Sequence, residues 1–206
     1  GGSGNSQGAV YAKLAANYTP ATQFNAQALI IAQRILATLP EQVPHGKTGL
    51  VQLVHNAQEV KRLKQHLETD YIPTDIATVK TAAQLTQLLG IPVNDDGLWF
   101  PDGGWLSPVK FVEHLIASHP MKTQFATEVV DIRQQLEGWS LVDSDDKTWT
   151  FDQVVLCAAF DANKLAPTAH LPLNSIAGQI TQLKATSVHE KLRAVICTDR
   201  YVMPTH

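Results

Sequence analysis

Several groups of residues in this sequence have types and spacing suited to chemistry. The chain opens with Gly1-Gly2-Ser3-Gly4-Asn5-Ser6-Gln7-Gly8. Glycines at 2, 4 and 8 suggest a loop that cradles a phosphate, because missing side chains let backbone N–H groups approach an anion. The dinucleotide fingerprint needs a strand ahead of its glycines, and none precedes these. On spacing alone, a cloning scar or a flexible terminus is the ordinary reading. A second group is Leu98-Trp99-Phe100-Pro101-Asp102-Gly103-Gly104-Trp105. Aromatics around a Gly-Gly turn can wall a pocket for a planar ligand or form core beside a hairpin, and the residues alone favour core. Lys61-Arg62-x-Lys64 offers cations to a phosphate, although such a run is usually a solvated helix face. The 8 histidines show no i,i+4 pair and no ligand spacing, so no metal site is expected. Asp145 and Asp146 read as a solvated turn, and no Ser-His-Asp order or nucleophile elbow is visible.

Composition narrows the class of molecule that carries these groups. The chain has 206 residues, 44% of them hydrophobic and 17% charged, a globular balance with enough chain for a real core. The net charge of −3 disfavours a strongly basic nucleic-acid binder while leaving room for a local basic patch. Cys157 and Cys197 are far apart, which fits neither a disulfide scaffold nor a zinc site. No apolar run approaches the roughly 20 residues that cross a bilayer, and the N-terminus lacks a signal pattern. The expectation is a soluble cytoplasmic α/β or α+β protein with no DNA or membrane partner.

The elements that would position the groups follow from periodicity. Ala9 to Leu14 is expected to start a helix. Phe24, Ala28, Ile31, Ile35 and Leu39 recur at helical spacing, which predicts a second helix with that stripe buried and Pro40 ending it. Leu50–Val54 reads as a strand. Asn56 with Glu59 forms a capping-box pattern for a helix that buries Val60, Leu63 and Leu67. Ile76–Lys80 is a strand, Thr81 with Gln84 caps a short helix, and Gly90 closes it. Leu98–Pro101 is an aromatic strand, and Ser107-Pro108 starts a helix carrying Phe111, Val112 and Leu115. Phe125–Ile132, Trp139–Val142 and Trp149–Leu156 predict an antiparallel meander. Its last run, through Val154-Val155-Leu156-Cys157-Ala158-Ala159, is apolar throughout, as for a strand buried on both faces. Gly178–Leu183 and Ala194–Thr198 are further expected strands.

Three stretches together resemble one family: Gly-Gly-Ser-Gly-Asn-Ser-Gln-Gly-Ala at 1–9, Phe-Pro-Asp-Gly-Gly-Trp-Leu-Ser-Pro at 100–108, and Leu-Pro-Leu-Asn-Ser-Ile-Ala-Gly-Gln-Ile at 171–180. They look like the FAD-dependent oxidoreductase part of the bacterial bifunctional tRNA 5-methylaminomethyl-2-thiouridine biosynthesis proteins, itself similar to the D-amino-acid and glycine oxidases. The resemblance implies a mixed α/β, truncated DAO-like FAD-binding fold. Residues 1–45 and 123–183 would belong to the FAD-binding module, and 46–122 with 184–206 to a substrate-binding mixed-sheet module. It implies FAD as cofactor and tRNA as the parent protein's partner. The reaction would remove the carboxymethyl group from carboxymethylaminomethyluridine at the wobble position. A methyltransferase domain using S-adenosylmethionine, absent here, would follow.

By position, Ser3, Gly4 and Asn5 match the loop passing close to the flavin, and Val129 matches the residue meeting the adenosine end. Ala158 and Ala159 match the strand end near the dinucleotide, where relatives usually have a glycine, and Gly178 and Gln179 match the strand facing the flavin. Gly103, Gly104, Trp105 and Tyr201 would line the substrate side, with Arg200 as the candidate cation for its carboxylate. No residue is assigned a catalytic proton transfer. The family's first G-x-G-x-x-G unit and its C-terminal segment have no counterpart here. The expectation is therefore an internal, inactive piece of a larger protein that binds FAD weakly or not at all. The alternatives are a small-molecule amine or amino-acid oxidase of the same fold, or a non-catalytic module that docks tRNA or protein.

Overall fold

The computed structural model describes residues 4–15, 17–69, 71–176 and 178–205. Its strands are β1 (Gly8–Val10), β2 (His45–Gly46), β3 (Leu50–Leu53), β4 (Thr78–Lys80), β5 (Gly97–Phe100), β6 (Gly104–Leu106), β7 (Val129–Gln134), β8 (Trp139–Asp143), β9 (Thr148–Phe151), β10 (Val195–Cys197) and β11 (Tyr201–Val202). Its α-helices are α1 (Pro20–Leu36), α2 (Ala57–Thr69), α3 (Ala82–Leu89) and α4 (Pro108–Ser118). The chain divides into two compact units, one made of residues 1–119 with 182–206 and the other of Pro120–Thr181.

The first unit is organised by a five-stranded sheet ordered β11-β10-β3-β5-β4, in which only the β10–β3 pair is parallel. Its central strands, Leu-Val-Gln-Leu and Gly-Leu-Trp-Phe, are apolar on both faces, and both faces are covered. Alternation along the strands separates two cores. Leu50, Leu98, Phe100 and Val195 pack with Leu29 of α1 and Leu63 of α2. Val51, Leu53, Trp99 and Ala194 pack with Leu85 and Leu89 of α3. A second sheet, β1-β6-β2, is antiparallel throughout.

Helix ends follow the capping residues. Thr19 accepts the Thr22 N–H at 3.1 Å ahead of Pro20. Asn56 Oδ1 accepts the Glu59 N–H at 2.9 Å. Thr81 and Gln84 complete a reciprocal capping box, and Gly90 ends α3 at φ 75°, where glycine carries no Cβ penalty. Ser107 caps α4 ahead of Pro108.

The second unit carries the expected meander, β7-β8-β9, with a register shift between Val129 and Asp131. Asp143 is buried, and its Oδ1 accepts the Asp145 and Lys147 N–H groups at 3.0 and 2.8 Å, which fixes the β8–β9 turn.

Several expectations are corrected. Ala9–Leu14 forms no helix; its first residues belong to β1, because pairing with β6 satisfies the backbone there. The stripe Phe24, Ala28, Ile31 and Ile35 is exposed, and α1 instead buries Thr22 and Leu29. In α2, Leu63 and His66 are buried while Val60 and Leu67 face outward. No residue of α4 is buried. Residues 154–158 form no strand and Val155 is exposed, because no neighbouring strand pairs with that run. Residues 178–183 are likewise outside any strand. Among the described residues, no helix is long and apolar enough to cross a membrane.

Candidate functional site

The first unit brings two of the sequence-identified stretches into one sheet. The N-terminal loop runs into β1, which pairs with β6 in the register Gly8↔Leu106, Ala9↔Trp105 and Val10↔Gly104. Ser3 lies outside the described residues. Gly4 is exposed with open space where a Cβ would stand, and Asn5 is half-buried. Ser6 Oγ meets Gln182 Nε2 at 3.2 Å.

Gly103, Gly104 and Trp105 are buried. Gly103 N–H donates to the Phe100 carbonyl at 3.1 Å, and its own carbonyl accepts Gly49 N–H at 2.9 Å. A Cβ on Gly104 would stand 1.9 Å from the Gly46 carbonyl oxygen, so glycine is what lets β6 approach β2. The turn also holds Asp102, whose carboxylate meets Lys47 Nζ at 2.7 Å.

Arg200 and Tyr201 lie at the edge of the other sheet, beside the β10–β11 turn. Arg200 is exposed, and its N–H donates to Thr198 Oγ1 at 3.3 Å. Neighbouring Asp199 pairs with His55 Nε2 at 3.0 Å, and that hydrogen bond raises the imidazole pKa. Tyr11 and Cys197 meet inside this unit, Sγ to hydroxyl at 3.5 Å, and burial pushes both pKa values up. Cys197 thus stays a thiol at neutral pH and is no ready nucleophile.

In the second unit, Val129 is half-buried at the start of β7, opposite Asp143. Ala158 leads into a 3-10 turn, Ala159–Lys164. Ala159 sits at φ 49°, backbone space that glycine usually occupies. Gly178 and Gln179 are exposed, and a Cβ at Gly178 would meet nothing within 4 Å.

Sequence reasoning passed over a cleft of about 580 Å³ between α1, α2 and the 13–15 segment. Its polar lining comes from Lys13, Asn25, Gln58, Lys61, Arg62 and Gln65, with the carboxylate-bearing Glu59 among them. Only Lys61-Arg62 gave a signal in the sequence; Lys13, Asn25, Gln58 and Gln65 join them through helix packing. Under α2, His66 is 6% exposed, and its Nε2 has no hydrogen-bond partner among the described residues. Burial lowers its pKa, and Arg62 adds to that. Among the described residues, no three His, Cys, Asp or Glu side chains converge as metal ligands.

A model of the FAD dependent oxidoreductase family matches residues 1–206. The tRNA 5-methylaminomethyl-2-thiouridine biosynthesis bifunctional protein MnmC of Marinobacter nauticus is 33% identical over 209 aligned residues, covering 100% of this chain and 33% of that protein. Its counterpart in Chromohalobacter salexigens is 34% identical, covering 99% and 30%. The chain thus spans about a third of the length of these curated relatives. Among solved structures, glycine oxidase from Geobacillus kaustophilus superposes with a TM-score of 0.64 at 17% identity, over 91% of this chain and 53% of that one. L-proline dehydrogenase from P. horikoshii gives 0.62 at 13% identity, over 91% and 52%. These structural likenesses share the fold.

Proposed function

Because this chain belongs to the FAD dependent oxidoreductase family, whose model matches it from residue 1 to 206, we propose that it contributes to FAD-dependent oxidation of a tRNA wobble uridine. The substrate group is carboxymethylaminomethyl, and the product is aminomethyl. One observation carries this reading: relatives named for tRNA 5-methylaminomethyl-2-thiouridine biosynthesis align along the whole chain at 33–34% identity. Bound FAD would take the hydride from the C–H beside nitrogen, after which water releases the two-carbon piece.

This chain's own residues bind and orient. Gly4 in the first unit and Gly178 in the second would each leave the main chain open to a flat ring. Asn5 and Gln179 would add polar contacts there. Val129 would meet the adenosine end and Ala158-Ala159 the dinucleotide. Gly103, Gly104 and Trp105 would form a rigid wall on the substrate side. Exposed Arg200 would pair with the substrate carboxylate, with Tyr201 beside it. A neutral amine needs no side-chain base for hydride loss. In the parent protein, a separate methyltransferase domain using S-adenosylmethionine would then methylate the exposed amine.

The test is nucleoside analysis of tRNA incubated with FAD and the polypeptide translated from the reading frame containing residues 1–206. Conversion of carboxymethylaminomethyl to aminomethyl uridine supports the reading. Oxidation of glycine or another small amine with the tRNA untouched overturns it in favour of an amino-acid oxidase.

A further inference from the structure

The cleft between α1 and α2 is not used by the reading above, and its lining has a definite chemistry. Gln58, Lys61, Arg62 and Gln65 stand at i, i+3, i+4 and i+7 along α2, so they share one helix face, and all line the cleft. Across from them are Lys13, Ala21 and Asn25. The floor is Leu14 and Thr22, both 2% exposed. The Thr22 hydroxyl is already engaged, accepting Ala15 N–H at 3.2 Å and donating to the Asn17 carbonyl at 3.2 Å. The floor therefore offers contact area but no free polar group. Asn25 Nδ2 donates to the Lys13 carbonyl at 2.9 Å, which ties the 13–15 segment to α1. The Tyr71 hydroxyl donates to the Ala15 carbonyl and steadies it from the α2 side.

Charge and hydrogen bonding then narrow the choice of occupant. Glu59 neutralises Arg62 at 2.5 Å. Lys13 and Lys61 form no ion pair among the described residues. Two unpaired ammonium groups thus stand on opposite walls of a cleft within a chain of net charge −3. Between them are side-chain amides, each both donor and acceptor, as a ribose 2′-hydroxyl is. The volume, about 580 Å³, falls in the range of about 300–1,000 Å³ usual for small-ligand sites. An acidic peptide would meet the same cations and amides, so the choice of RNA over it rests on the tRNA reading. A lipid surface would need walls free of charge, and these carry Lys13, Glu59, Lys61 and Arg62.

We propose that this cleft binds a segment of RNA backbone, with phosphates at Lys13 and Lys61 and ribose hydroxyls at Gln58, Gln65 and Asn25. The proposal rests on the tRNA reading and adds where the chain would grip the strand. The site is an anchor and takes no part in oxidation.

The experiment measures fluorescence anisotropy of a labelled anticodon stem-loop RNA, and of the DNA of the same sequence, with the full 206-residue chain. The variants are Lys13→Glu/Lys61→Glu, Gln58→Ala/Gln65→Ala, and a charge-matched control, Lys122→Glu/Lys184→Glu, at exposed positions elsewhere. All variants are first checked for an unchanged melting temperature. The expected result is RNA binding weakened at least tenfold by the cleft charge reversal and less than twofold by the control. The slope of log affinity against log salt should fall by roughly one to two. The glutamine variant should narrow the preference for RNA over DNA. Equal losses in cleft and control variants, or equal binding of RNA and DNA by the wild type, overturn the cleft while leaving the tRNA reading intact. Failure of the wild-type chain to bind RNA removes the cleft proposal. Only failure of the nucleoside conversion above removes the reading on which it rests.

Discussion

Ala159 holds a left-handed backbone angle, φ 49°, at a position where the sequence already stood out for lacking a glycine. An L-residue there costs about 1–2 kcal/mol. Ala159→Gly is therefore expected to stabilise the second unit by about 1 kcal/mol, less the extra freedom glycine gains when unfolded. Urea denaturation followed by Trp139 and Trp149 fluorescence checks it; a loss of stability would mean the turn is not as described. Gly104 is the opposite case. Its missing Cβ makes room for the Gly46 carbonyl, so Gly104→Ala should cost about 1–3 kcal/mol through a forced backbone shift. Gly4→Ala and Gly178→Ala meet open space and should leave the melting temperature almost unmoved. If either weakens FAD binding in a flavin-fluorescence titration, the loss lies in the site and not in the fold. The need for glycine at 103–104 was visible in the sequence as a turn. That the glycines serve strand approach was not, because the partner, Gly46, lies far away along the chain.

At the scale of elements, α2 carries a pH dependence. His66 is buried with its pKa lowered by burial first and by Arg62 second; the Tyr71 hydroxyl faces its Nδ1 at 3.3 Å. A basic group with a depressed folded pKa is neutral in the fold and charges more readily in the unfolded chain. Its contribution is present above the ordinary value of 6.5 and is lost as pH falls below it. Melting temperature should therefore decline from pH 7 to 5, and the decline should be shallower in His66→Gln. A steeper decline in the variant would assign the effect elsewhere. The exposed His55–Asp199 pair works in the opposite direction and is screened by solvent. For α3, Thr81→Ala removes one half of a reciprocal capping box and should cost about 1 kcal/mol. Caps, turns and the meander were legible because they depend on residues a few positions apart. The buried face of α1 was not, and that of α2 only at Leu63. Periodicity shows that a helix has an apolar stripe but not which neighbour meets it, and Phe24, Ile31, Val60 and Leu67 ended exposed while Leu29 packed.

For the whole molecule, the four tryptophans divide evenly between the units: Trp99 and Trp105 in the first, Trp139 and Trp149 in the second. Trp99 and Trp105 sit in the cores of the first unit, 9% and 5% exposed. Unfolding monitored in chains retaining only one pair should give transitions that do not coincide, since each unit has its own packing. Coincident midpoints would show one cooperative block instead. The sequence alone determined the family, through short stretches at 1–9, 100–108 and 171–180 whose residue order is specific, and it determined the turns, caps and meander set by local spacing. Tertiary structure alone decided that the glycine loop and the Gly-Gly-Trp stretch share a sheet, that residues 154–158 and 178–183 lie unpaired, and that Lys13 faces Lys61 across a cleft. The reason is physical: caps and turns are satisfied within a few residues. Strand partners, buried faces and clefts depend on which distant segments arrive to cover them, and no local pattern encodes that arrival.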